Sequence, residues 1–213
     1  MMISTSFSHS ARRGLTLLEL ILGISITTLI TAAIAAMCGS VATGITTRHD
    51  ARSVMLRANA VQTRLAAYIA PARSILEVTD TTAVIWFHDD RKSNTVHASE
   101  IRWITFDQSS NSLMVEFIKL PDDWSEGAQF LADQEYAPNQ SWDTVLSHYR
   151  QQNLVHTRLL SDAITDLNIY ISSNLPHEAR QLLVRLAFQT NDAPYEVATS
   201  AAIRLHSPPE ALP

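Results

Sequence analysis

Glycine is scarce in this chain, at 5 of 213 residues. Phosphate-cradling loops and glycine-framed nucleophile elbows both need backbone conformations that glycine supplies, and neither pattern occurs. Cysteine is scarcer still. Cys38 stands alone, so no intrachain disulfide can form. It falls inside an apolar segment, where it reads as a small packing residue. Basic residues do not dominate either. Lys and Arg number 16 against 21 Asp and Glu, a net charge of −5, which leaves no basic stripe for a nucleic-acid face.

What the chain does have is one long apolar run. From Leu15 to Met37 it is almost unbroken, with Arg12, Arg13 and Gly14 before it and a single carboxylate, Glu19, near its start. After Glu19 no ionisable side chain follows until Arg48, apart from the Cys38 thiol. A run longer than about 18 apolar residues can cross a bilayer as a helix. An acidic residue deep in lipid costs roughly 2.5–3.5 kcal/mol, so Glu19 needs a partner. A secretory signal explains the basic start, with Ala32–Ala36 offering a cleavage site. Its apolar core normally runs only about 7–15 residues. A plain single-pass anchor explains the length but not Glu19. A buried core helix would carry a polar face, which this run lacks. Arg12 and Arg13 place the N-terminus in the cytoplasm by the positive-inside tendency.

Gly14-Leu15-Thr16-Leu17-Leu18-Glu19 resembles the class III signal of type IV pilins and type II secretion pseudopilins. The resemblance implies that a membrane prepilin peptidase cuts after Gly14 and N-methylates Leu15. Glu19 then matches the family's glutamate, the fifth residue after the cut. Leu15 departs from the usual phenylalanine. The helix also lacks the proline found midway along many major pilins, which points to a minor subunit. The chemistry is coherent. Glycine lets a protease approach the backbone closely, and the freed amine of Leu15, with a pKa near 8, would be largely protonated. Methylation keeps that charge. Glu19 lies one helical turn on, where it can meet its own amine or a neighbouring subunit's. The resemblance favours the neighbour's.

The expected architecture is α+β: a long N-terminal hydrophobic helix packed on a C-terminal antiparallel β-sheet head. Residues 1–14 read as a leader, 15–38 as the membrane half of the helix, and 39–71 as its amphipathic half. Residues 72–206 form the head, and 207–213 a loose proline-rich tail. A helix of about 55 residues, at roughly 1.5 Å each, would be about 80 Å long, too long for the membrane alone. Val54, Ala58, Val61, Leu65 and Tyr68 repeat at helical spacing among Arg52, Arg57, Gln62 and Arg64, and Pro71 marks the end. Strands are expected at Ala83–Phe87, Ile101–Phe106 and Leu113–Phe117, joined tightly as a meander. Others are expected at Val155–Leu160, Leu167–Ile171, Leu182–Phe188 and Ala198–Leu205. Short helices are expected at Ala128–Gln134 and Thr144–Gln151. Leu159–Tyr170 and Leu175–Leu186 resemble, more loosely, the sheet segments of J-class minor pseudopilins.

Motifs for catalysis are thin, and no enzyme is expected. His88-Asp89-Asp90 sits in a polar turn beside Arg91 and Lys92. His148 and His156 lack zinc-site spacing, and His177-Glu178 lacks a second histidine. Asp122, Asp123 and Glu126 offer oxygens of the kind that hold calcium in some pseudopilins. They lack the alternation of an EF-hand, so a plain acidic loop is the simpler reading. No cofactor is expected. Trp86 and Trp103 fall in strand patterns and read as core; Trp124 and Trp142 lie in a long connection, where an exposed aromatic would mark a partner site. The function implied is that of a minor pseudopilin at the tip of a type II secretion pseudopilus. Its partners would be the prepilin peptidase, the inner membrane and other minor and major pseudopilins. The alternatives are a minor type IV pilin, a single-pass membrane-anchored periplasmic binding domain, and a secreted enzyme freed by signal peptidase.

Overall fold

The computed structural model describes residues 16–189 and 194–210. The chain forms two compact units that divide between Arg48 and His49, and α1 (Leu17–Ile69) has residues in both. In the first unit the apolar segment Leu17–Val41 is 25 residues long and none of it is buried. At roughly 1.5 Å per residue it spans about 37 Å, against a hydrocarbon layer of about 30 Å. Its hydroxyls do not spoil this surface, because each turns back onto its own helix. Ser25 donates to the Ile21 carbonyl at 2.8 Å, Thr27 to Gly23 at 2.7 Å, Thr28 to Ile24 at 3.0 Å and Thr31 to Thr27 at 2.7 Å. Backbone acceptors thereby satisfy donors that lipid cannot.

The second unit is the head. After α1 come β1 (Ser74–Val78), β2 (Thr82–Trp86), β3 (Val96–His97), β4 (Ile101–Asp107) and β5 (Ser112–Ile118). There follow α2 (Glu126–Ala132), β6 (Glu135–Tyr136), α3 (Trp142–Gln151), β7 (Val155–Ser161), β8 (Ile164–Ile171), β9 (Gln181–Phe188) and β10 (Tyr195–Ala202). The main sheet runs β1-β2-β4-β5-β7, a second runs β10-β9-β8, and β3 pairs with β6. Every pairing is antiparallel. The α+β class read from the sequence is the observed one.

The apolar stripe of α1 explains the core. Val54, Ala58, Val61, Leu65 and Ile69 are all at most 6 % exposed. They form one cluster with Ile85, Ile104 and Val115 of the main sheet and with Leu182, Val184 and Leu186 of the second. Ile69, not Tyr68, completes the stripe. Tyr68 is half-buried at its flank, its ring 5.9 Å from that of Phe87. Strand β9 alternates apolar-in and polar-out, as a half-buried strand does. The central strands β2 and β4 do not alternate, because their opposite face is buried too. Val84, Trp86, Ile101 and Trp103 meet Trp142, Val145, Leu146 and Tyr149 of α3 in a second core. Trp142, which would mark a partner site only if exposed, is therefore a core residue at 1 % exposure.

Several connections differ from expectation. The link from β2 to β4 is not tight: it holds β3 and a single 3-10 turn, Ala98–Glu100. Buried Glu100 gathers it, accepting from Trp86 Nε1 at 3.0 Å and from the backbone N–H groups of Asp90 at 2.7 Å and His97 at 3.2 Å. Buried Asp133 does the same from the other side, accepting from the Ser99 N–H at 2.8 Å and Arg91 Nε at 2.9 Å. β1, β3 and β6 were not expected at all, and the last two are too short for periodicity to register. β10 stops at Ala202 rather than Leu205, because the Ile203 and Arg204 N–H groups turn to the carbonyls of Arg180 and Ala70. The tail is not loose through Glu210: Ser207 N–H donates to Arg73 at 2.9 Å and Glu210 N–H to Asn94 at 2.8 Å.

Leu65 and Leu56 lie on one helix with opposite fates, at 1 % and 62 % exposure. Leu65→Ala should destabilise the head by about 2–5 kcal/mol, and Leu56→Ala should stay within about 0.5 kcal/mol. Denaturation of the detergent-solubilised chain, followed by tryptophan fluorescence, measures both. The β4–β5 turn offers a titration. The Ser109 hydroxyl at 2.7 Å, the Ser110 hydroxyl at 2.7 Å and the Ser109 N–H at 2.9 Å all donate to the Asp107 carboxylate. These bonds hold its pKa down to about 2. A depressed pKa adds stability that is complete above the unfolded value of about 3.9, and that contribution is lost as pH falls through about 2. A carboxyl NMR titration should place the midpoint there, and removing the hydroxyls in Ser109→Ala/Ser110→Ala should raise it toward about 3.9.

Candidate functional site

The start of α1 carries the chain's most distinctive local chemistry. Thr16 immediately precedes the helix and acts as its N-cap. The Glu19 N–H donates to Thr16 Oγ1 at 3.3 Å. The Glu19 carboxylate in turn accepts from the Thr16 N–H and from Thr16 Oγ1, both at 3.0 Å. This is a reciprocal capping box, which satisfies backbone donors that the first helical turn leaves over. The position also suits an anion, since aligned peptide dipoles leave partial positive charge at a helix N-terminus. Thr16 was not singled out from sequence. The Thr-x-x-Glu spacing ahead of an apolar run was the signal that could have found it.

Glu19 thus has local donors but no counter-charge among the described residues. Gly14, Leu15, Arg12 and Arg13 lie outside them. Around and beyond Glu19 the helix surface is predominantly apolar: Leu18 is 70 % exposed and Leu29 71 %. Ile21, Ile24, Ile30 and Ile34 are exposed as well. An uncovered apolar surface of this extent calls for lipid or other apolar helices against it.

Several of the head's candidate residues make local contacts. Asp89 accepts from the Ser93 N–H at 3.0 Å and so closes the polar turn after β2. His148 pairs with Gln152 at 3.0 Å, His156 stacks on Phe117 at 5.9 Å, and Glu178 accepts from Ser173 at 3.3 Å. Asp122 pairs with Lys119 at 3.2 Å. Among the described residues no group of three or more His, Cys, Asp or Glu side chains is gathered as metal ligands, so Asp122, Asp123 and Glu126 are not brought together. Trp124 is partly exposed beside α2, whose Phe130 and Leu131 are also exposed. Tyr149 donates to the Ala132 carbonyl at 2.7 Å, and burial pushes its pKa up. That bond ties α3 to the end of α2.

No protein-family model, curated protein or solved structure matches this chain. The site therefore rests on its own geometry. Thr16→Ala removes the cap but leaves the carboxylate, and caps of this kind contribute about 1 kcal/mol. Amide exchange at Leu18 and Glu19 in micelles should accelerate about five-fold, while Thr31→Ala should leave those two amides unchanged.

Proposed function

We propose that this chain is a minor pseudopilin: a structural subunit, not an enzyme, at the tip of a type II secretion pseudopilus. One observation carries the reading. A lone carboxylate is held at the first turn of a fully uncovered apolar helix, ahead of an α+β head. In this reading prepilin peptidase cuts after Gly14 and methylates Leu15, the residue just before the cap. The new cation then lies one residue from Thr16, whose N–H the Glu19 carboxylate already faces at 3.0 Å. The capping box supports the pairing by aiming the carboxylate back along the chain toward the site of the cut.

The helix would leave the cytoplasm through the inner membrane and hold the head in the periplasm. During assembly its apolar surface would exchange lipid for other subunits' helices, and Glu19 would neutralise an amine that lipid cannot solvate. A second reading is favoured by the same capping box. Because Thr16 supplies Glu19 with donors, a plain single-pass anchor carrying a periplasmic binding domain can tolerate the carboxylate without processing.

Intact mass separates the two. A pseudopilin should lose its residues through Gly14 and gain one methyl group; an anchor should keep them. Glu19→Val should still be cleaved, yet enter filaments about tenfold less or worse, because an unpaired buried charge costs several kcal/mol. Thr16→Ala, which breaks the cap but keeps the charge, should assemble far better than Glu19→Val. Equal assembly of the two variants would assign Glu19 to the cap alone.

A further inference from the structure

The head contains a cleft of about 720 Å³ that neither the processing nor the membrane reading uses. Three arginines from three elements reach it: Arg64 of α1, Arg102 of β4 and Arg158 of β7. Tyr68, Phe87 and Phe117 form its walls. Strand periodicity explains the arrangement. Arg102 shares a sheet face with Ile104, two residues on, which packs in the core that holds the α1 stripe. Arg102 pairs across the sheet with Phe117, and Phe117 with His156. This row lies along the flank of α1 that bears Arg64 and Tyr68.

Each guanidinium is held by rings or carbonyls. Arg102 lies 4.8 Å from the Phe87 ring centre and 5.1 Å from that of Phe117, and Arg158 lies 6.0 Å from Phe117. Arg102 donates to the carbonyls of Ser99 at 2.7 Å and Ile101 at 2.8 Å, and Arg64 donates to that of Leu160. Among the described residues the ion pairs are Arg91–Asp133, Lys119–Asp122 and Arg150–Glu116, so none of the three cleft arginines has a carboxylate partner. Asp90 and Glu100 are close enough to act on Arg102 through their charge, yet neither forms an ion pair with it, and the Glu100 oxygens are taken by Trp86 and backbone N–H groups. In a chain of net charge −5, three cations converge on one cleft with no carboxylate among the described residues ion-paired to them.

The cleft also borders an open sheet edge. Among the described residues β7 pairs with β5 alone, and its residues 156–159 are exposed. An edge strand can accept a further extended segment through backbone hydrogen bonds. A single small anion would engage guanidinium groups but leave the aromatic walls and the edge unfilled. A volume of this size lies within the range of about 300–1,000 Å³ typical of ligand sites.

We propose that the cleft between α1 and β7 binds an extended acidic segment of a partner protein, its carboxylates pairing with Arg64, Arg102 and Arg158 and its backbone lengthening the sheet at β7. The inference rests on the head alone and stands or falls separately from cleavage at Gly14.

The test uses the full chain in detergent micelles, titrated with an acetylated peptide alternating Glu and Val and observed by NMR. Saturable shifts are expected at β7 residues 156–159 and at Arg102 and Phe117. The matching Gln/Val peptide and inorganic phosphate should produce neither the saturation nor the β7 shifts. Arg158→Glu should weaken binding about tenfold or more, the scale of a lost charge-assisted contact, and Arg158→Gln by less. Unchanged amide spectra away from the cleft show that each variant is folded, and Arg158→Gln decides the matter should Arg158→Glu fail that check. No saturable shift at millimolar peptide overturns the proposal, as does equal binding of the Gln peptide or indifference to both variants. Phosphate reproducing the whole pattern would make the cleft a small-anion site. Self-association of the chain that Arg158→Glu abolishes would give the cleft to a second copy.

Discussion

Five side chains on one face of a helix hold the head together. Val54, Ala58, Val61, Leu65 and Ile69 recur at steps of three and four, and through them two sheets share one core. Neither sheet could cover its apolar face alone, since a sheet that is hydrophobic on one face must bury it against another element. The helix therefore belongs to the head's fold as much as the strands do. The sheet register sets which strand residues turn toward it, and it leaves Arg102 and Phe117 beside the flank of the helix that bears Arg64 and Tyr68.

The apolar segment from Leu17 to Val41 obeys a different constraint. None of it is buried, and its hydroxyls are spent on its own carbonyls. Such a surface suits lipid or other apolar helices. Glu19 is the exception that gives the segment a chemical direction. The capping box makes the carboxylate tolerable at the helix start and aims it toward the preceding residues. Local satisfaction and a role in pairing are compatible, because an ionised carboxylate has lone pairs for more than two donors.

Buried polar groups do the organising where strands do not. Glu100 and Asp133 draw together segments that lack regular structure, each accepting from backbone and side-chain donors. These contacts shape the β2–β4 connection, which sequence read as a short turn. Fixed donors around a buried carboxylate make such a loop as definite as a strand. Periodicity carries no trace of it, because hydrogen bonding of this kind has no repeat.

The sequence by itself determined what depends on neighbours along the chain. The uncovered helix, the stripe from Val54 to Leu65, seven of the strands and the Thr16–Glu19 cap are all properties of local spacing, although the cap went unread. Only the tertiary structure decided which faces would meet. Trp142 lies in an irregular, polar stretch, yet α3 turns it into the second core. Arg64, Arg102 and Arg158 are unremarkable polar positions until the sheet register and the flank of α1 bring them to one cleft. The physical reason is the range of the information. Side-chain period tells a residue which side of its own element it occupies, while the identity of what lies opposite is set by packing between elements far apart in sequence.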